Sequence, residues 1–384
     1  MEETKPAYSI PFNRPTLVGT ETDYILQAIA AGHVSGDGLF TRRCHAFFEE
    51  QLRVLKALLV TSCTHALEMA ALLLDVGPGD EIIVPSFTFV STANAFALRG
   101  AKPIFADIRP DTLNLDERQL ESLITPRTRA VVPVHYAGVA CEMDEICDVA
   151  NKHGITVIED NAHGLFGRYK GRLLGTFGAL ATQSFHETKN YICGEGGALL
   201  INDARFIERA EVIRDKGTNR ARFFRGEVDK YTWVDLGSSY PPSDILAAFL
   251  FAQLEAREDI GQKRRHLWER YNQSLFAWSR ENGVRLPCIP AHCEQPHHMF
   301  YVLMPSLEER SRLIAHLKAK SILAVFHYLP LHASPMGERF GGKLGDCPVT
   351  EDISDRLLRL PFYNGMTQDE QSRVIEAIEE FRCG

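Results

Sequence analysis

Lys189 lies near the end of a short run, Ser184-Phe185-His186-Glu187-Thr188-Lys189-Asn190, and Gly194-Glu195-Gly196-Gly197 follows before an apolar stretch from Ala198 to Ile201. A lysine does covalent chemistry through its neutral amine, which attacks a carbonyl carbon to form an imine. It therefore needs a fixed position and a lowered pKa. Burial at the end of a strand supplies both, and glycines let the backbone pass close to a flat ligand that a Cβ would obstruct. Taken alone, the same residues also fit a surface lysine beside a hairpin turn. The second element is Val157-Ile158-Glu159-Asp160-Asn161-Ala162-His163, an apolar strand that ends in an aspartate. Pyridoxal 5′-phosphate (PLP) carried on a lysine needs an acid at its ring nitrogen if the ring is to accept electrons. Asp160 and Lys189 both fall at the ends of expected strands, where ligands of open α/β sheets collect.

The elements that must position this pair follow from the apolar pattern. Between Ala57 and Asp203, apolar runs at Leu58–Val60, Ile82–Val84, Ile104–Phe105, Val131–Val134, Val157–Ile158 and Ala198–Ile201 alternate with helical patterns. That alternation predicts βαβ units and a mostly parallel sheet. Ser62-Cys63-Thr64 separates the first run from an Ala/Leu-rich helix. A turn of this kind points free backbone N–H groups at an anion, although a simple N-cap reads the same way. Upstream, helical spacing covers Gly19 to Ala31, and a further helix starts near Thr41. Ser243-Asp244 reads as the N-cap of one long helix reaching toward Asn282. Beyond it, apolar runs at Met299–Leu303 and Leu323–Phe326 flank a helix from Leu307 to Lys320, and helices over Glu351–Leu360 and Thr367–Phe381 end the chain. The expected division is residues 1–55 as an N-terminal arm with helices, 56–282 as a large cofactor-binding domain, and 283–384 as a small C-terminal domain.

Composition narrows the function. A chain of 384 residues with net charge −8 is not a general nucleic-acid binder, so an anionic ligand must be held by a local basic patch. The richest such patch is the segment 214–230, with Arg214, Lys216, Arg220, Arg222, Arg225 and Lys230 against three acids, and Arg220, Arg222 and Arg225 sit on its least helical part. A charge-rich loop is ordinarily solvated surface. The nine cysteines show no CxxC or paired ligand spacing and read as reduced thiols of a cytoplasmic protein. No apolar stretch is long enough to span a bilayer. GxGxxG, HExxH and the P-loop pattern are all missing, which counts against a dinucleotide dehydrogenase, a zinc protease and a P-loop nucleotidase.

The motifs together resemble the DegT/DnrJ/EryC1/StrS sugar aminotransferase family. They are Pro11-Phe12-Asn13, Ser35-Gly36-Asp37-Gly38, Ser62-Cys63-Thr64, Pro85-Ser86-Phe87-Thr88-Phe89-Val90-Ser91-Thr92, His186-Glu187-Thr188-Lys189-Asn190 and Gly237-Ser238-Ser239-Tyr240, in order along almost the whole chain. Within the family the likeness is strongest to the branch that makes dTDP-4-amino-4,6-dideoxygalactose for enterobacterial common antigen. The resemblance implies the PLP-dependent transferase fold of aspartate aminotransferase type (fold type I), an α/β architecture with a large, mostly parallel-sheet domain and a smaller C-terminal α/β domain. It implies that Lys189 carries PLP and moves protons, that Asp160 pairs with the ring nitrogen, and that Cys63, Thr64 and Ser184 hold the phosphate. Phe89 then stacks on the ring, His163 lies beside it, and Tyr328 lies near the sugar. Ser239 stands where the family has an asparagine that reaches the partner subunit's phosphate, and the following Pro241-Pro242 also departs from the family pattern.

The activity so implied is transfer of an amino group from L-glutamate to a nucleotide-linked keto-deoxysugar, dTDP-4-dehydro-6-deoxy-D-glucose, in a homodimer or higher oligomer with shared sites. At least one of Arg220, Arg222 and Arg225 is expected on the substrate pyrophosphate. A 3-keto sugar aminotransferase is the alternative in the same family. A PLP-dependent sugar dehydratase is disfavoured because that branch carries histidine in place of Lys189. A cofactor-binding regulator without turnover lacks support, since no helix-turn-helix segment or strongly basic domain is present.

Overall fold

The computed structural model describes residues 8–384, so the first seven residues of the expected N-terminal arm lie outside the described residues. Seven strands form the main sheet, in the order Lys56–Val60, Gly197–Ile201, Leu180–Ser184, Thr156–Asp160, Thr128–Val131, Glu81–Pro85, Lys102–Ala106. The last five of these run parallel to one another, whereas Gly197–Ile201 is antiparallel to both of its neighbours. The near-continuous apolar runs have a direct cause, because both faces of this sheet are covered. Leu58 and Val60 pack with the helix Cys63–Leu73 on one face, while Ala57 and Leu59 pack with Phe40, Phe48 and Ala247 on the other.

Four differences from the expected elements have physical reasons. Leu180–Ser184 is a central strand that its mixed composition, Leu-Ala-Thr-Gln-Ser, did not announce as an apolar run. The run Val131–Val134 stops being a strand at Val131, because Pro133 has no N–H to donate, and only Val134 bridges onward to Asp160. The long helix is divided at Ala256 into Asp244–Glu255 and Arg257–Glu281. Each half serves a different core, the first against Phe40 and Phe48 and the second, through Trp268, Tyr271, Leu275 and Trp278, against the C-terminal sheet. The helix expected over Glu351–Leu360 ends at Arg356, and Leu357–Arg359 becomes the middle strand of a three-stranded antiparallel sheet between Tyr301–Leu303 and Val325–Phe326. Two consecutive buried leucines satisfy a buried strand as well as a helix, and here the open edges of two short strands decide the choice.

The helices Leu307–Ala319 and Gln368–Glu379 close the C-terminal core over Phe300, Val302, Leu358 and Leu360. Ser306, Thr367 and Ser243 cap their helices through side chains that accept from the third residue beyond, and Thr367 with Glu370 makes a full capping box. All nine cysteines are free thiols. No described helix is long and apolar enough to cross a membrane.

Candidate active site

The interior strand Thr156–Asp160 delivers Asp160 at its C-terminal end, and its neighbour Leu180–Ser184 delivers Ser184. Past Ser184 the chain turns rather than continuing as strand. Phe185 is buried and stacks on Phe48 with ring centroids 5.6 Å apart. The turn closes with Lys189 N donating to His186 O (2.9 Å), Glu187 N to Gly194 O (3.0 Å) and Asn13 Nδ2 to Glu187 O (3.0 Å). Lys189 is therefore placed by a hydrogen-bonded turn beyond the strand, not by the strand end itself. Burial lowers its pKa to about 8, with Arg359 acting in the same direction and the Cys63 thiol and Asp160 carboxylate opposing.

Asp160 is 5% exposed, and burial raises its pKa. It accepts from Thr92 Oγ1 (2.8 Å) and Ala162 N (3.2 Å), and both bonds favour its ionised form. Thr88 and Thr92 hydroxyls lie 2.9 Å apart, so with Thr92 donating to the carboxylate Thr88 donates to Thr92. No lysine, arginine or histidine among the described residues forms an ion pair with this carboxylate. A buried carboxylate held by neutral donors alone suits a cation brought in by a ligand.

His163 stacks on His298, with centroids 4.3 Å apart and planes 20° from parallel. Burial holds both imidazoles far below their ordinary pKa, so both are neutral. His298 shares a hydrogen bond with Asn190 Oδ1 (2.8 Å), and Asn190 Nδ2 donates to Pro296 O (2.8 Å). Behind them the buried Arg264 donates to His297 O (2.9 Å), to Asn364 Oδ1 (2.8 Å) and to His298 O. The His163 Nδ1 atom is buried without a partner. An orphaned ring nitrogen of this kind offers a hydrogen bond to a polar ligand atom.

On the other side, the helix Cys63–Leu73 begins at the sheet edge, with Ser62 as N-cap accepting from His65 N (3.1 Å). Thr64 and Ser91 hydroxyls lie 2.7 Å apart. Gly197 pairs with both Val60 and Ser184, and a Cβ on it would fall 2.4 Å from Cys63 N. For Gly197 the structure shows a different requirement from approach to a ligand. Gly197 is needed because two backbone segments touch, and that contact brings Ser184 alongside the Ser62-Cys63-Thr64 turn.

Cys63, Thr64, Phe89, Asp160, His163, Ser184, Lys189 and Tyr328 all line one cavity of about 780 Å³. Phe87 is 1% exposed, whereas Phe89 is 57% exposed. Phe89 and Tyr328 have ring centroids 6.4 Å apart. The residues sequence reading missed are Thr92, Asn190, His298 and Arg359. Thr92 stood inside a quoted motif, and Arg359 carried a readable signal as a lone charge between Leu358 and Leu360.

Ser239 and the 214–230 arginines lie elsewhere. Ser239 is exposed and bridges to Asp215. Against the expectation of an irregular segment, Arg220–Phe224 is a helix. Arg222 pairs with Glu208 (3.0 Å) and Glu227 (3.2 Å), and Arg225 pairs with Glu211 (2.8 Å) and Glu227 (2.7 Å). Arg220 lies 3.8 Å from Asp215 and over the Phe224 ring. Alternating acids one turn apart on the preceding helix, Glu208 and Glu211, give these guanidinium groups local partners. None of the three arginines lines the cavity of its own chain.

The cavity fits PLP on three counts. A buried carboxylate without a cation faces it, an unpartnered imidazole nitrogen lies beside it, and a helix start flanked by Ser184 offers N–H groups to a phosphate. The sequence profile of the DegT/DnrJ/EryC1/StrS aminotransferase family matches residues 15–379. The chain is 33% identical over 388 residues to the spore coat polysaccharide biosynthesis protein SpsC of Bacillus subtilis, covering 99% of both. It is 33% identical over 373 residues to GDP-perosamine synthase of Caulobacter vibrioides, covering 95% of this chain and 96% of that one. The solved PLP form of the Streptococcus pneumoniae protein Spr1654 superposes with a TM-score of 0.89 at 26% identity, covering 97% of this chain and 98% of the other.

Proposed function

We propose, for a chain that belongs to the DegT/DnrJ/EryC1/StrS aminotransferase family and takes PLP as its cofactor, that the amino group moves from L-glutamate to a nucleotide-linked keto-deoxysugar. The proposed acceptor is dTDP-4-dehydro-6-deoxy-D-glucose and the product dTDP-4-amino-4,6-dideoxy-D-galactose. One observation carries the chemistry: the Lys189 amine, with a pKa of about 8, shares a cavity with a buried carboxylate that has no cation of its own.

In this reading Asp160 faces the cofactor's ring nitrogen and keeps a proton there, with Thr92 and the Ala162 N–H holding the carboxylate ionised. Thr64, Ser184 and the N–H groups opening the helix at Cys63 hold the phosphate, and Ser239 adds a hydroxyl from a neighbouring copy. Phe89 would cover the ring, and His163 would offer it the unpartnered Nδ1. When bound, PLP supplies the electron sink that lets a carbon next to nitrogen lose its proton. Lys189 would anchor the cofactor and, as a neutral amine, would take that proton from the donor carbon. It later returns a proton to the sugar carbon. A depressed pKa lets one side chain do both at neutral pH. Tyr328, on the small domain's wall, meets the sugar, and Arg220, Arg222 or Arg225 of a neighbouring copy meets the pyrophosphate. Exposed ion pairs like theirs contribute about 0–1 kcal/mol, so these guanidinium groups can exchange a glutamate for a phosphate at little cost.

A second acceptor, a GDP-linked keto sugar, is favoured by the relatives named GDP-perosamine synthase at 31% and 33% identity. Lys189 weighs against the dehydratase reading. The test is incubation with L-glutamate and a panel of dTDP- and GDP-linked 3-keto and 4-keto sugars, with product configuration read by NMR. Amination of the dTDP-linked 4-keto sugar in preference to the others is expected. Exclusive turnover of a 3-keto or GDP-linked substrate would replace the proposed acceptor.

A further inference from the structure

We propose that Arg359 is the receptor for the amino donor's α-carboxylate, reached from the small domain's sheet. The proposal rests on the aminotransferase reading above and adds to it a residue that grips the donor. Arg359 sits on the middle strand Leu357–Arg359, and its side chain lines the cavity that holds Lys189 and Asp160. One guanidinium nitrogen donates to Phe326 O (3.2 Å), and the group lies over the Phe12 ring at 4.6 Å. Its Nε is buried without a hydrogen-bond partner. Among the described residues no carboxylate pairs with it. Burial works against its charge.

A desolvated guanidinium without an acid is costly unless a ligand brings the anion. The cavity needs such a cation. An α-amino acid carries a carboxylate on the very carbon that loses its proton, and that negative charge must be held where the reaction occurs. Arg359 and Lys189 are the only arginine or lysine among the described residues that line the cavity. Lys189 is committed to the cofactor, and burial keeps His163, His298 and His327 neutral. Arg359 is thus the one lasting positive charge that the cavity's own described lining offers the donor. The planar fork suits a carboxylate, which accepts two parallel bonds. A phosphate has a separate place at the helix start by Cys63, supplied by the other sheet.

The experiment compares the holoenzyme with its Arg359→Gln and Arg359→Lys variants. Single-turnover reactions with L-glutamate follow the cofactor's absorbance, and calorimetry follows binding of 2-oxoglutarate. Binding of the nucleotide sugar to the aminated enzyme is the control. Arg359→Gln is expected to raise the half-saturating glutamate concentration roughly ten-fold or more and to weaken 2-oxoglutarate in parallel, with nucleotide-sugar affinity within about three-fold of wild type. An alkylamine donor without a carboxylate should react equally well with both proteins. Unchanged glutamate saturation in a folded Arg359→Gln protein overturns the proposal, and so does an equal loss for glutamate and nucleotide sugar. If Arg359→Gln does not fold, Arg359→Lys decides. It keeps the charge but loses the fork, and wild-type glutamate binding there overturns the proposal. Failure of the wild-type enzyme to aminate any nucleotide sugar would sink the acceptor assignment while leaving the glutamate half-reaction, and this comparison, intact.

Discussion

Replacing Thr92 by valine removes one hydroxyl from beneath Asp160 while conserving side-chain volume, so the result reads as electrostatics and not as a cavity. The hydroxyl donates to Asp160 Oδ2 at 2.8 Å and accepts from Thr88, so the substitution also leaves the Thr88 donor unpaired. A hydrogen bond to a charged group contributes about 1.5–3 kcal/mol, which corresponds to a loss of roughly ten- to hundred-fold in kcat/KM for the donor half-reaction. The pH dependence carries the sign. Burial already pushes the Asp160 carboxyl upward, and Thr92 is the strongest influence holding it down. Without that donor the neutral carboxylic acid persists to higher pH, so the acidic limb of the rate profile moves upward. Thr92→Ser keeps the hydroxyl and should stay near wild type. Asp160→Asn, which cannot ionise, should lose activity at every pH. Stopped-flow rates with L-glutamate from pH 5 to 9, alongside thermal melts to confirm folding, provide the measurement. A Thr92→Val enzyme with wild-type rate and an unmoved acidic limb would refute the reasoning that Asp160 acts as a carboxylate sustained by this hydroxyl.

Four further outcomes are expected. Lys189→Ala should lose nearly all turnover, and borohydride should no longer fix cofactor to the chain by mass spectrometry. In cofactor-free wild-type protein, uptake of PLP should rise with pH through a midpoint of about 8, because the neutral amine is the reactive form and its pKa is lowered. A midpoint near an ordinary lysine's would remove the basis for the depressed value. Mixing Lys189→Ala chains with chains carrying a bulky replacement at Ser239 should restore part of the activity through hybrid sites, and a fully active monomer by light scattering would dismiss shared sites. Alanine at Arg222 or Arg225 should raise KM for the nucleotide sugar by roughly ten-fold and leave the glutamate half-reaction unchanged. Equal slowing of both half-reactions would place these arginines in folding rather than in binding.

The sequence alone carried the reading of the chemistry and determined most of the scaffold. A strand ending in Asp160, a run ending near Lys189 and a hydroxyl turn at Ser62-Cys63-Thr64 could be read because each depends on local order along the chain. The parallel sheet followed from runs apolar on both faces. What the sequence could not decide depended on distance in space. Lys189 is set by a turn tied to Asn13, and Gly197 is required by the Ser62–Cys63 backbone, contacts across 174 and 134 residues. Leu357–Arg359 became a strand because two short strands, themselves far apart in the chain, left edges for it to fill. The same pairing turned Arg359, an ordinary charge between leucines, into an unpaired guanidinium facing the cavity. The arginines of 214–230 show the converse, where a patch that looked free in the sequence meets Glu208, Glu211 and Glu227 once the chain folds. Charge is written in the sequence, but whether a charge is paired, solvated or left for a ligand is fixed by which groups share its surroundings, and only tertiary packing brings those groups together.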